Sequence, residues 1–330
     1  VGAGKLQAYV THFERMAPNR TRGVRKNERG KGNQGMKVTK ELALEAGREL
    51  AWFKCKETAR RIIESNPGGS VGSWPGVFRK ILAMLETLET GKPLEKPAFK
   101  VFAKGNSKLP FWSFSSMAIL DCPGRGECSK WCYSLKSWRN PNALGRQLSN
   151  SLLLRHAAGR ELIAREFAKL ETETVRLYVD GDFHSKENLR WWMDLIRSRP
   201  SVAVYGYSKS WVEFLSLHLE GFTWPSNYLL NLSGGSRHPE SMRVVMSGLP
   251  VTRGEFVAVQ VDREHLANHS YQSRRNDGFK DYAKQVRANA GKRVFVCSGT
   301  CGDCLTVKGK NRHACGMESM RGVPIAIGMH

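Results

Sequence analysis

Cys122, Cys128 and Cys132 stand in a C-x5-C-x3-C loop, Asp-Cys-Pro-Gly-Arg-Gly-Glu-Cys-Ser-Lys-Trp-Cys, that follows an apolar run. Thiolates this close can wrap a soft metal centre, and Gly124 and Gly126 let the backbone turn so that the sulfurs converge. Three ligands leave one coordination position open or call for a ligand from elsewhere. A second group, Cys297, Cys301, Cys304 and Cys315, strengthens the metal reading. The expected occupant is iron–sulfur, one or two 4Fe-4S clusters in all, with zinc as the alternative metal and reduced structural thiols as the plain alternative. Seven of the eight cysteines fall in these two groups, unlike the spread of a secreted disulfide framework, so a reducing cytoplasm is expected. Cys55 reads as a small buried hydrophobe on a helix.

Acids and a histidine recur at alternate positions in Asp180-Gly181-Asp182-Phe183-His184. They could hold Mg²⁺ or Mn²⁺ for phosphodiester cleavage, because hard oxygen ligands suit those ions, or bind a polar cofactor beside the cysteines. A turn that starts a helix at Ser185 is the structural alternative. Lys209 could meet a carboxylate or phosphate, and Ser233-Gly234-Gly235 could cradle one with backbone N–H groups, although the full phosphate-loop spacing is missing. Near the first cysteines, Trp131, Tyr133 and Trp138 interleave with Lys130, Lys136 and Arg139. Rings that stack bases beside cations that neutralise phosphates suit single strands; a dry cover for the metal is the other use of the rings.

These groups need a scaffold that brings them to one edge, and the chain from about 98 onward supplies one. Short β-type runs at 99–103, 111–120, 175–179, 202–207, 227–232, 255–261 and 293–296 are separated by helical patterns at 143–170, 187–198, 210–219, 239–247 and 279–289. Counting from the run before Cys122, six strands alternate with helices, which predicts a parallel sheet as an open barrel or a doubly wound sheet. Chemistry in such folds gathers at the carboxyl ends of strands, and every group named above except the aromatic cluster follows a strand. Residues 1–95 read differently, as a basic and mainly helical region with helices at 39–64 and 75–90, set apart from an α/β domain at 96–330.

The formal charge is +22, far beyond what solubility needs, so an acidic partner is expected. Nucleic acid fits best, DNA ahead of RNA; a membrane would also want an apolar anchor, and no run of about 18 apolar residues exists. Residues 1–40 hold ten Lys or Arg against two Glu, and this arm, with Arg20, Arg22, Arg25, Lys26, Arg29 and Lys31, is expected to order on phosphates.

Cys122-Pro123-x4-Cys128-x3-Cys132-Tyr133, with Leu177-Tyr178-Val179-Asp180-Gly181-Asp182-Phe183 and Tyr205-Gly206-Tyr207-Ser208-Lys209-Ser210, resembles the phage and plasmid proteins of the gene product 88 family. That resemblance implies a mobile-element origin and a bacterial cytoplasm. More distantly, the layout is similar to radical S-adenosylmethionine enzymes, where a three-cysteine loop after the first strand of a partial (βα)6 barrel binds a 4Fe-4S cluster and S-adenosylmethionine. Those enzymes use C-x3-C-x2-C, whereas the first loop here is C-x5-C-x3-C; their spacing occurs at Cys297, Cys301 and Cys304, which only 26 residues follow. The expectation is thus a radical-enzyme-like barrel behind a basic region, an iron–sulfur protein that binds nucleic acid in replication, regulation or maintenance. A radical enzyme that modifies nucleic acid and a metal-dependent nuclease are the alternatives.

Overall fold

The structure, a computed structural model, describes residues 56–105, 109–130, 132–264, 266, 272, 274–307 and 310–329. The chain divides into two compact units, Val1–Phe99 with Tyr133–Leu162, and Lys100–Cys132 with Ile163–His330.

The described part of the first unit is helical: α1 (Lys56–Glu64), α2 (Trp74–Glu89), the short α3 (Ser134–Ser137), α4 (Pro141–Arg155) and the start of α5 (Ala157–Ala168). Helix α2 begins where Ser73 accepts a hydrogen bond from the Gly76 N–H and Pro75 takes a position that needs no N–H partner. Val77, Phe78, Ile81, Met84, Leu85 and Leu88 form its buried stripe. Asn140 caps α4 in the same way, accepting from Asn142 N at 2.9 Å and Ala143 N at 3.2 Å. The single helix expected at 143–170 is two, because His156 adopts an extended conformation (φ −118°, ψ 140°) and Gly159 then packs on the backbone of Leu153 where a Cβ would not fit. Trp138, a candidate base-stacking ring, is core: it is 1% exposed and donates to Gln147 Oε1 at 2.7 Å.

The second unit is built on one mixed sheet of eight strands: β1 (Phe102–Lys104), β2 (Trp112–Phe114), β3 (Thr174–Leu177), β4 (Ala203–Ser208), β5 (Tyr228–Ser233), β6 (Thr252–Gln260), β7 (Phe295–Val296) and, past a separate β8–β9 hairpin (Leu305–Val307, Lys310–Arg312), β10 (Ile325–Met329). Their order is β1-β2-β3-β4-β5-β6-β10-β7, antiparallel at β1–β2 and parallel elsewhere. From β2 to β6 each strand lies beside its predecessor, and the crossovers carry α6 (Lys186–Arg197), α7 (Trp211–Leu219) and α8 (Glu240–Ser247); α9 (Gly278–Ala290) precedes β7. All six expected strands are present, but the sixth is not the neighbour of the fifth, since β10 inserts between them with Ile325 opposite both Phe256 and Phe295.

Alternation along the strands gives the sheet two different faces. On β10, Ala326 packs with Tyr282, Ala283 and Val286 of α9, whereas Ile325 packs with Tyr205, Leu229, Cys297, Cys304 and Cys315. Helix α9 thus covers one face, and the cysteine-bearing C-terminal segment lies against the other. Aromatic contacts fill the core near α6, with Phe114 against Trp192 at 4.9 Å and against Tyr178 at 5.6 Å. Truncating a buried Phe of this kind costs about 3–5 kcal/mol.

Candidate functional site

The carboxyl ends of β3, β4 and β5 meet beneath the first cysteine loop. Arg237 N donates to Gly124 O at 3.1 Å, Ser236 Oγ to the same oxygen at 3.3 Å, and Cys128 N to Gly235 O at 3.4 Å. Gly124 lies directly on Lys209, and a Cβ there would overlap the Lys209 carbonyl oxygen. The loop is therefore docked on the strand ends rather than projecting from them.

Asp182 is the centre of this rim. It is 3% exposed, and accepts from Ser208 Oγ at 2.7 Å, Phe183 N at 2.8 Å and Lys209 N at 2.7 Å. Burial still raises its pKa, although those three donors and the Lys209 charge pull the other way. Lys209 Nζ donates to Ser233 Oγ at 2.7 Å, so the β4 and β5 ends are tied as well. Asp180 is buried with its carbonyl accepting from Ser116 N at 3.0 Å, and Gly181 (φ +80°) sits so close to Ser116 that a side chain would not fit. His184 is half-buried just ahead of the α6 cap, where Ser185 accepts from Asn188 N at 3.2 Å. Gly234 N donates to Phe256 O at 2.8 Å, so this N–H serves the sheet rather than an anion cradle, and Gly235 (φ +73°) makes room for Cys128.

Cys122 belongs to the same rim. Burial pushes its thiol well up, the Asp182 and Asp121 carboxylates add to that, and Lys209 opposes it. Its strongest electrostatic neighbours are these groups rather than Cys128 or Cys132, both half-buried. His238 faces the loop through Gly124 and stacks on Trp211 at 5.5 Å; burial, and then Arg237, push its pKa down to about 4.

The second cysteine group is more tightly drawn together. Cys297, Cys304 and Cys315 are buried, Cys301 is half-buried, and the titration of each is shifted by at least one of the others. A hydrogen bond between Cys297 and Cys304 holds the first as a thiol and lowers the second to about 7, helped by the Ala314 N–H and the Arg274 charge. Gly299 N donates to Cys297 Sγ at 3.3 Å. Burial raises Cys315 to about 12 against a Tyr207 hydrogen bond and the Arg253 charge. Cys301 is raised by burial, with Arg176 and Tyr205 acting oppositely.

In the surroundings, Arg176, Asn231, Arg253, Arg274 and His313 were not singled out from sequence, and Tyr205 and Tyr207 entered only within a motif. Arg176 lies over the Tyr207 ring at 4.6 Å and His313 stacks on Tyr205 at 5.0 Å. Arg253, fully buried, donates to Asn231 Oδ1 at 2.7 Å and Glu255 O at 2.8 Å, and Asn231 Nδ2 donates to Cys315 O at 3.0 Å. The available signals were Tyr205-Gly206-Tyr207, which puts both rings on one face, and a lone Asn in the apolar run of β5.

Among the described residues, no three His, Cys, Asp or Glu side chains stand as a formed ion site. The chemistry of the C-terminal donor set nonetheless fits a thiolate-bound metal: four sulfurs, backbone N–H groups directed at two of them, and Arg176, Arg253 and Arg274 nearby to offset negative charge. Among the described residues, the groups that act on Cys122 (Asp182, Lys209 and Asp121) differ from those that act on the C-terminal cysteines (Arg176, Tyr205, Tyr207, Arg253 and Arg274).

A family model described as gene product 88 matches residues 85–316, which include all seven clustered cysteines and the rim. The chain belongs to the gene product 88 family. No curated protein and no solved structure matches it.

Of the proposed nucleic-acid contacts, Lys130 is exposed and pairs with Glu127 at 2.7 Å, an interaction of about 0–1 kcal/mol that a phosphate can replace. Lys136 is on α3, and Arg139 is exposed just beyond it. Arg20, Arg22, Arg25, Lys26, Arg29, Lys31, Cys55 and Trp131 lie outside the described residues. No helix among the described residues is long and apolar enough to cross a membrane.

Proposed function

We propose that this gene product 88 family member is an iron–sulfur protein of a phage or plasmid that binds nucleic acid, acting in replication, regulation or maintenance in the bacterial cytoplasm. The observation that carries the metal half is the gathering of Cys297, Cys301, Cys304 and Cys315 on one sheet face with Arg176, Arg253 and Arg274 around them. The Cys304 thiol is held down to about 7, so one ligand needs little deprotonation, and Arg176 and Arg253 favour the thiolate forms of Cys301 and Cys315 against the burial that raises both. A 4Fe-4S cluster would supply a redox-active or structural centre there, and zinc a structural one. The charge of +22 supports the nucleic-acid half.

A second reading, a radical enzyme acting on nucleic acid, is favoured by one feature. The strands β2 to β6 follow chain order with no switch point, and the three-cysteine loop comes off β2 onto the ends of β4 and β5, as in a partial (βα)6 barrel. The nuclease alternative has less support, because the oxygens of Asp182 are already taken by Ser208, Phe183 and Lys209.

Protein purified without oxygen should be brown and contain iron with acid-labile sulfide, and Cys304→Ala should lose the larger part of both. Colourless protein with stoichiometric zinc would exclude iron–sulfur, and metal-free protein that folds normally would remove the centre altogether. Cleavage of S-adenosylmethionine under reduction would select the enzyme reading.

A further inference from the structure

We propose that the outer face of α9 is a nucleic-acid docking surface on the second unit, with Lys280, Lys284 and Arg287 contacting backbone phosphates. The inference rests on the nucleic-acid reading above and gives it a place in the fold independent of the N-terminal arm.

The three cations occupy positions i, i+4 and i+7, so they form a single stripe about 10 Å long on one side of the helix. The buried side is fixed: Phe279, Tyr282, Ala283 and Val286 are buried with Val261, Val294, Val296 and Ala326. Tyr282 adds two polar ties, its hydroxyl donating to Cys297 O at 3.0 Å and accepting from Gly328 N at 2.8 Å. Helix α9 cannot roll about its axis without breaking these, so the stripe is held towards solvent.

These cations differ from the ion-paired ones of the unit. Lys186 and Arg190 pair with Glu220, Arg197 with Asp194, Arg243 with Glu240 and Glu255, and Arg321 with Glu318. Lys280, Lys284 and Arg287 are all exposed and have no ion pair among the described residues. Asp281, the one acid on the solvent side of α9, lies about 100° round the helix from Lys280.

The chemistry of the face selects the partner. A protein interface wants buried aromatic or aliphatic anchors, and a membrane surface wants an apolar face to insert. The other exposed residues of α9 are Asp281, Ala288 and Asn289, none of them a large apolar side chain. Phosphate contacts need no apolar anchor, and each strand of a duplex presents one charge per about 3.4 Å of axis, so a stripe of this length spans about three phosphates.

The test is binding of the full-length protein to a short mixed-sequence duplex across a range of salt concentrations, by fluorescence anisotropy. Replacing Lys280, Lys284 and Arg287 together by Gln should make the slope of log affinity against log salt shallower by about 2.7, that is about 0.9 for each phosphate no longer neutralised. Helical content and metal content should stay as in the wild type. If the triple variant does not fold, Lys284→Gln alone should remove about 0.9. Asp281→Asn should act in the opposite direction and tighten binding. A wild-type slope in a folded variant would overturn the α9 surface while leaving nucleic-acid binding intact. Absence of wild-type binding to both DNA and RNA would instead overturn the reading on which it rests.

Discussion

Asp182→Ala is the perturbation whose magnitude the structure defines best. The carboxylate is almost wholly buried and accepts from a hydroxyl and two backbone N–H groups belonging to the ends of two different strands. Removing it leaves the Phe183 and Lys209 N–H groups without this acceptor, at about 1–3 kcal/mol each, while the Ser208 hydroxyl can turn. Part of that loss is offset, because burial disfavours the charged carboxylate enough to raise its pKa. The net expectation is about 2–4 kcal/mol. With about 2–4 °C of melting temperature per kcal/mol for a domain of this size, Asp182→Ala should melt roughly 4–16 °C below wild type. Asp182→Asn keeps one oxygen for Ser208 and Phe183 but presents N–H to the Lys209 N–H, so it should lose about half as much. Differential scanning calorimetry on matched metal-loaded preparations checks both. If both variants melt within about 1 °C of wild type, Asp182 is not a buried tie and the rim is open to a ligand or metal.

Gly124→Ala should undock the first cysteine loop, since its Cβ would collide with the Lys209 carbonyl; a cost of about 1–3 kcal/mol predicts that protease cleavage within 121–130 speeds up by roughly tenfold, and an unchanged rate would refute the docking. His238 is neutral in the fold at neutral pH, with its pKa held down to about 4, so the unfolded chain takes up this proton first as pH falls. Stability from this group is full above pH 6.5 and lost towards pH 4, about 2 kcal/mol after allowing for partial solvent screening, and His238→Gln should flatten that limb of an acid titration of unfolding free energy.

The alternation of strands and helices was legible because each strand is a short apolar run and each helix a separate stripe, as in Val175 and Leu177 of β3 followed by Leu189, Trp192, Met193 and Ile196 of α6. The order of the last strands was not. Strand β10 is five residues long, follows a Cys- and Gly-rich stretch, and pairs with residues of β6 nearly 70 positions earlier, so nothing local marks it. The break at His156 was hidden for a related reason: the buried leucines of α4 and Leu162, Ile163 and Phe167 of α5 read as one continuing pattern, which the extended His156 and the close approach of Gly159 to Leu153 divide.

The rim was legible as a set of positions, because a parallel sheet puts residues after its strands on one edge; which atoms would be joined there was not. Asp182 reads as a ligand in sequence and is a tie between strands in space, since only the fold brings Ser208 and Lys209 to it across 26 and 27 residues. The environment of the second cysteine group was harder still. Alternation places Tyr205 and Tyr207 on one face of β4 and Asn231 of β5 beside them, but parity along a strand cannot say what covers that face. The cover comes from the chain's own Cys297, Cys304, Ala314 and Cys315, and its position depends on Arg253, which joins Asn231 to the turn at Met320 and Val323. A charge buried this deeply destabilises the fold unless its donors are taken, and here the acceptors are Asn231, the Glu255 carbonyl and the carbonyls that lead into β10. The insertion of β10 and the placement of the four thiols are therefore linked: the strand that sequence could not place helps to satisfy the guanidinium that faces Cys315.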